Sequence, residues 1–304
     1  MKFRGFTMLF LVLILSSLVP SVYADTTILG TAGNFAVLGA SAVTNTGVTT
    51  ITNGNVGSFP TNSLTGTGGC GADCLVFSGG AVVTATAKNQ TDLTAAISGL
   101  STLSPFSLSS TSFTAGNITL TAGVYSTGTT FLLTGGDTLT LNAQGKNNVS
   151  FVFLVGSALT TGVGSTVKLI NPGSNDGVYW VEEGTGGSAT LDTGSTFVGN
   201  ILASVSITLD KGVTITCGRA LANTGAVTMN NDTITTGCGS SLDISGHGKV
   251  KPVEGGSLPG RGTPPVSATP ESGTLLLVGC GMFCIVLIRR SSWTLQRFGS
   301  TRSL

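Results

Sequence analysis

Charge is scarce in this chain of 304 residues: Asp, Glu, Lys and Arg together make up 9% of it, and aromatic residues only 6%. So little charge excludes a surface of solvated helices, and the lack of a basic stripe speaks against nucleic acid as a partner. The whole-chain charge of +1 conceals an acidic body. Between Asp25 and Cys238 stand ten carboxylates (Asp25, Asp73, Asp92, Asp137, Asp176, Glu182, Glu183, Asp192, Asp210, Asp232) and five bases (Lys88, Lys146, Lys168, Lys211, Arg219), a net −5 (5 − 10). Histidine is nearly absent. The single one, His247, lies beyond that body, which therefore lacks the imidazole of a Ser-His-Asp site.

What is abundant is threonine, 41 of the 214 residues from Asp25 to Cys238, with 45 glycines in the whole chain. Beta-branched residues broken by Gly, Asn and Asp predict many short strands. One phrase recurs: Ala189-Thr190-Leu191-Asp192, then Ile207-Thr208-Leu209-Asp210, then Val227-Thr228-Met229-Asn230. The steps between Thr190, Thr208 and Thr228 are 18 and 20 residues, too short for a unit with its own core. Such units must stack, which predicts a solenoid. Asp192, Asp210 and Asp232 read as turn residues of those repeats. One stretch differs. Over about 81–100, Leu93, Ile97 and Leu100 fall on one helical face, and a lone helix beside a solenoid would cover an apolar side of it.

The two ends read as address signals. Lys2 and Arg4, the apolar run Phe6 to Leu18 and Val22-Tyr23-Ala24 form an export signal over 1–24, with the mature chain starting at Asp25. A flexible Gly/Pro/Ser linker is expected over 239–269. Thr269-Pro270-Glu271-Ser272, the apolar run Gly273 to Ile288 and Arg289-Arg290 then form a membrane helix within 270–290, followed by a tail over 291–304. This arrangement resembles the PEP-CTERM sorting signal, which implies processing by an exosortase. Ser272 stands where that signal has its second proline, and the chain runs on to Leu304, so a plain C-terminal anchor is the alternative. Either way the body faces outward, secreted or held at the cell surface. Export permits disulfides, and proximity pairs Cys70 with Cys74 and Cys217 with Cys238. Zinc lacks a histidine partner there, and no cofactor or metal is expected.

Several phrases in the body resemble the DUF3494 ice-binding family. They are Leu29-Gly30-Thr31-Ala32-Gly33-Asn34-Phe35-Ala36-Val37-Leu38, Val43-Thr44-Asn45-Thr46-Gly47, Gly194-Ser195-Thr196-Phe197-Val198-Gly199-Asn200-Ile201-Leu202-Ala203, Ser206 to Leu209, Gly218 to Ala222 and Thr224 to Thr228. The resemblance covers nearly all of residues 25–238. It implies a discontinuous right-handed β-solenoid of triangular section with one long helix alongside, and adsorption to ice. Within the family the ice site often uses Thr-Ala/Gly-X-Thr/Asn. Here that pattern matches Thr46-Gly47-Val48-Thr49, Thr127-Gly128-Thr129-Thr130 and Thr193-Gly194-Ser195-Thr196. The expected ice-binding residues are therefore Thr46, Thr49, Thr127, Thr130, Thr193 and Thr196, extended by Thr208 and Thr228 through the repeat.

The physical logic is a grid. Side chains at i and i+2 of a strand stand about 6.7 Å apart on one side, and neighbouring coils stack at about 4.8 Å. Threonine offers a methyl and a hydroxyl on a stiff stem, so a flat array of it can hold an ordered layer of water. Other chemistry is weaker. Gly246-His247-Gly248 resembles a polygalacturonase motif without its companion motifs. Glu182 and Glu183 are neighbours that a strand would point to opposite sides, one of them to solvent. Gly68 to Leu75 fits the start of a calcium nonapeptide only once. The alternative to ice is an exported adhesive or matrix protein binding polysaccharide or its own copies, for which Tyr125, Tyr179 and Trp180 are the body's candidate platforms.

Overall fold

The computed structural model describes residues 28–237, apart from 69–70, 109–111, 114–117 and 185. The expected export signal, linker, sorting element, apolar run and tail, with His247, Cys70 and Cys238, lie outside the described residues. No helix among the described residues is long and apolar enough to cross a membrane.

The beta-branched segments form 22 short strands among the described residues. These pair in parallel into one 14-stranded and one 8-stranded sheet. Each turn of the chain lays down three strand runs, on faces here called a, b and c. In one turn Gly177–Glu182 lies on face a, Ser188–Leu191 on face b and the start of Thr196–Ala203 on face c. That last strand then changes neighbours. Thr196 pairs with Thr166 of face c, whereas Asn200 to Ala203 pair with Tyr179 to Glu182 of face a. Gly199 makes the corner at φ 108, where an added Cβ would come within 2.6 Å of Val178.

The sequence repeat is this turn. Thr190 pairs with Thr208 and Thr208 with Thr228, in register. The same ladder continues to Thr160 and Leu132, but with steps of 30 (160 to 190) and 28 (132 to 160). The wider turns enclose larger side chains. Running along the inward side of face a, the register takes Tyr125 to Phe153, Trp180, Ile201, Ala220 and Val37. Phe153 and Trp180 stack at 3.9 Å between ring centres, and Trp180 Nε1 donates to the Val198 carbonyl at 3.1 Å. Aromatic residues thus fill the wide end, and aliphatic ones the narrow coils, as close packing requires.

Chain order and stacking order differ. Phe35–Gly39, Ala42–Thr46 and Val48–Thr52 pair with the strands Thr214–Ala222, Ala226–Asn230 and Thr233–Thr235, so the first coil docks on the last. A further coil, Asn55–Ser58, Leu64–Thr65 and Cys74–Ser78, stacks beyond it. The described body is therefore a discontinuous stack.

The helix, α1, runs Ala87–Ser101. It begins later than the expected residue 81, because Val82 is still bridged to Val56 and Thr86 caps the helix, its N–H donating to Asn89 Oδ1 at 2.8 Å. Leu93, Ala96, Ile97 and Leu100 are buried. They pack with Leu38, Leu154, Tyr179, Val181, Leu202 and Leu221, the outward row of face a. The helix covers face a and leaves b and c uncovered by any other described element. Cys217, in the left-handed region at φ 54, is disulfide-bonded.

Candidate functional site

Face b is the 8-stranded sheet. Alternation along each strand buries Val43, Val227, Ile207, Ala189 and Leu159 and turns the next residue outward. Those outward residues align. Thr65 pairs with Thr44, Thr44 with Thr228, Thr228 with Thr208, Thr208 with Thr190 and Thr190 with Thr160. Six threonines form one straight ladder, ended by Leu132. All six are exposed or half-buried, and their hydroxyls hydrogen-bond to no other described residue. Two residues upstream lies a row of small side chains, with Ala42 beside Ala226 and Ala158 beside Ser188. Neither outward row contains a charge. Asp192 and Asp210, two residues past Thr190 and Thr208, stand at the rim, where Thr193 N–H donates to Asp192 at 2.6 Å.

Face c carries a second ladder. Thr138, Thr166, Thr196, Thr214, Thr233 and Thr50 pair successively in register. Beside its last three members runs a partner row, Thr216, Thr235 and Thr52. Farther along that row stand Lys168, which is exposed, and Val198, which is 4% exposed. Face b is thus the longer uncharged surface, and face c the one with two threonines per strand.

The expected site residues divide between these surfaces and the corners. Thr208 and Thr228 are in the face b ladder and Thr196 is in the face c ladder. Thr130 heads the strand Phe131–Leu133 and is half-buried. Thr46 and Thr193 are exposed at the corner between b and c. Thr49 is fully buried, its hydroxyl accepting from Asp232 N–H at 3.0 Å, and Thr127 is 8% exposed with its hydroxyl donating to the Thr129 carbonyl. All three Thr-Gly-X-Thr matches span corners, with Gly47, Gly128 and Gly194 at φ 71, 66 and 68. The pattern is turn chemistry, and its two threonines do not share a face. Thr44, Thr65, Thr160 and Thr190 were outside the expected set of ice-binding residues, although Thr44 sits within a phrase that carried the resemblance and Thr190 within the repeated phrase.

Other candidates fall inside. Tyr125, Tyr179 and Trp180 are all at most 1% exposed, so none offers a platform for sugar rings. Glu183 is exposed while Glu182 is fully buried, with neither carboxylate oxygen hydrogen-bonded, and burial pushes its pKa well up. Asp232 sits further along its turn than Asp192 and Asp210 do in theirs. Burial raises its pKa to about 7, against N–H groups of Asn230 and Val213 that donate at 2.7 and 2.8 Å. No group of three His, Cys, Asp or Glu among the described residues is arranged to hold a metal.

A model of the ice-binding-like family matches residues 37–235. The chain belongs to the ice-binding-like family. An ice-binding protein of Nostoc sp. (strain HG1) is 42% identical over 215 residues, spanning 71% of this chain and 76% of that protein. Among ice-binding-like structures, an ice-binding protein from an Antarctic biological consortium superposes with a TM-score of 0.59 at 31% identity, over 73% of this chain and 94% of that one. The DUF3494 domain of Shewanella frigidimarina ice-binding protein 1 gives 0.58 at 27% identity, over 69% and 97%. This ice-binding-like chain shares with them a mostly β body with parallel sheets and one helix.

Proposed function

We propose that this chain adsorbs to ice through face b and thereby inhibits ice growth or recrystallisation. The observation that carries the reading is the in-register ladder from Thr65 to Thr160, uncharged and with no hydroxyl bonded to another described residue. Supporting it are relatives named as ice-binding proteins.

Repetition at about 4.8 Å along the stack sets hydroxyls at a fixed spacing, and the methyls between them exclude loosely held water. Water anchored by such a ladder is pre-ordered, so little ordering remains to be done when it joins a lattice plane. A charge within the rows would orient water otherwise, and none is there. No bond is made or broken, so the activity needs neither catalytic residue nor cofactor.

The test is partition into a slowly grown ice hemisphere. The wild-type chain is retained in the solid, and Thr208→Tyr, which lifts the surface off the lattice at the centre of the ladder, returns to the liquid. Wild-type protein left wholly in the liquid overturns the reading.

Around this core we further propose a right-handed turn of triangular section, export by the signal over 1–24, and attachment through 270–290. An exosortase-type enzyme would process the C-terminal element. Pairing of Cys217 with Cys238 and of Cys70 with Cys74 completes the proposal. Peptide mapping without reductant tests the pairings, and fractionation of the expressing cells tests the attachment.

A further inference from the structure

The geometry of face c points to a second ice-binding surface, one that takes a different plane of ice from the plane taken by face b. The inference rests on the reading of face b as an ice site, and it concerns residues that face b does not contain.

Thr214 and Thr216, Thr233 and Thr235, and Thr50 and Thr52 stand on three adjacent strands in uninterrupted register. Each pair is i, i+2, so all six side chains leave the same side of the sheet, about 6.6 Å apart along a strand and about 4.8 Å between strands. Between the two columns the inward residues are Ile215, Ile234 and Ile51, identical in type and fully buried. Three identical residues under three neighbouring strands hold the strands at one height, so the grid above them is level. None of these six residues is buried, and Thr216 and Thr233 are exposed.

The surface has a chemistry of its own. Face b presents one threonine column beside a column of Ala and Ser. Face c presents two threonine columns, a hydroxyl and a methyl at every node of a two-dimensional net. Charge is kept off the net: Lys168, in the same row, lies two coils beyond Thr216, and Asp232 at the adjoining corner is buried. An uncharged net of hydroxyls at fixed spacing, without an aromatic side chain in it, fits a lattice of water. It does not fit a sugar, a lipid headgroup or an acidic peptide.

Face c is continuous with face b around the corner at Gly47 and Gly194, where the chain turns in the left-handed region. The corner gives the two faces different orientations, so a single flat ice plane cannot meet both. Two nets of different spacing pattern select two planes. Face c is also assembled from both ends of the described body, because Thr50 and Thr52 lie 183 positions from Thr233 and Thr235, and the hydrogen bond from Thr236 to Asn53 spans the same seam.

The experiment is ice-plane imaging. The full chain, fluorescently labelled, is adsorbed to an oriented single-crystal ice hemisphere, alongside Thr228→Tyr on face b and Thr233→Tyr on face c. Thermal unfolding checks that both variants are folded, and Thr216→Tyr replaces Thr233→Tyr should the latter unfold. Wild type is expected to light two sets of planes. Thr228→Tyr loses one set and keeps the other, and the face c variant does the reverse. A folded face c variant that lights the same planes as wild type overturns the inference while leaving face b intact. Wild type that lights no plane overturns both readings. A wild-type pattern of one set, abolished by Thr228→Tyr alone, also overturns the second face.

Discussion

Arg219 Nη1 donates to Asn200 Oδ1 at 2.9 Å, side by side on adjacent coils and beneath the protein surface. The same guanidinium donates from Nε to the Gly33 carbonyl at 3.0 Å. It therefore ties two late coils to the turn that opens the first one, across the seam where the chain's beginning docks on its end. Asn200 in turn donates to the Val178 carbonyl at 3.2 Å.

Removing that tie has a defined cost. Arg219→Met leaves buried acceptors unpaired, and each such group costs about 1–3 kcal/mol. We expect a loss of about 2–4 kcal/mol in urea unfolding. Asn200→Ala should lose less than an additive amount when combined with Arg219→Met, because both remove one interaction. Fully additive losses would show that the two side chains act separately.

Glu182 makes the fold pH-sensitive. Its pKa is raised by burial, so the folded state holds the proton more tightly than the unfolded chain, whose glutamate titrates near about 4.3. The sign follows: its stability contribution is fully present below that value and falls as pH rises through the folded pKa. Asp232, pushed up to about 7, acts in the same direction between about 3.9 and 7. Glu182→Met should raise stability at pH 7 by about 1–3 kcal/mol, the cost of an unpaired buried polar group. Its advantage over wild type should shrink as pH falls to 4. An advantage independent of pH would show that Glu182 does not titrate in this range.

Thr49 and Thr208 separate structure from adsorption. Thr49→Val removes the acceptor for Asp232 N–H and should cost about 1–2 kcal/mol of stability, with ice retention per folded molecule unchanged. Thr208→Tyr should do the opposite, leaving the unfolding midpoint close to wild type and reducing retention. Loss of retention by folded Thr49→Val would return Thr49 to the surface set.

The stack was legible in the sequence only where its turns are short. Steps of 18 and 20 residues put Thr190, Thr208 and Thr228 in visible alignment, and the structure stacks them. The turns from Leu132 to Thr160 and Thr190 carry longer loops around Phe153 and Trp180, so the same ladder runs through them with no repeated phrase. Thr44 and Thr65 were hidden for another reason. Thr44 joins the ladder by docking against Thr228, 184 positions away in the sequence, and Thr65 stacks beyond Thr44, contacts that no local pattern encodes. The helix face of Leu93, Ile97 and Leu100 was legible because a 3.6-residue period survives without tertiary information. Thr-Gly-X-Thr misled because glycine at positive φ turns a corner and resets the inside-outside alternation. Thr46 remains outside while Thr49 falls in.

Because the first coil rests on the last, the strand edges of Phe35–Gly39, Ala42–Thr46 and Val48–Thr52 have no neighbour on that side until residues 214–235 have been made. A nascent chain carrying only its first two coils presents an open ladder of backbone donors and acceptors, the template on which β-rich chains aggregate. Synthesis of this molecule must therefore keep the early segment apart from its neighbours until the final coil arrives and fills the gap. Only then does either threonine ladder exist as one unbroken line.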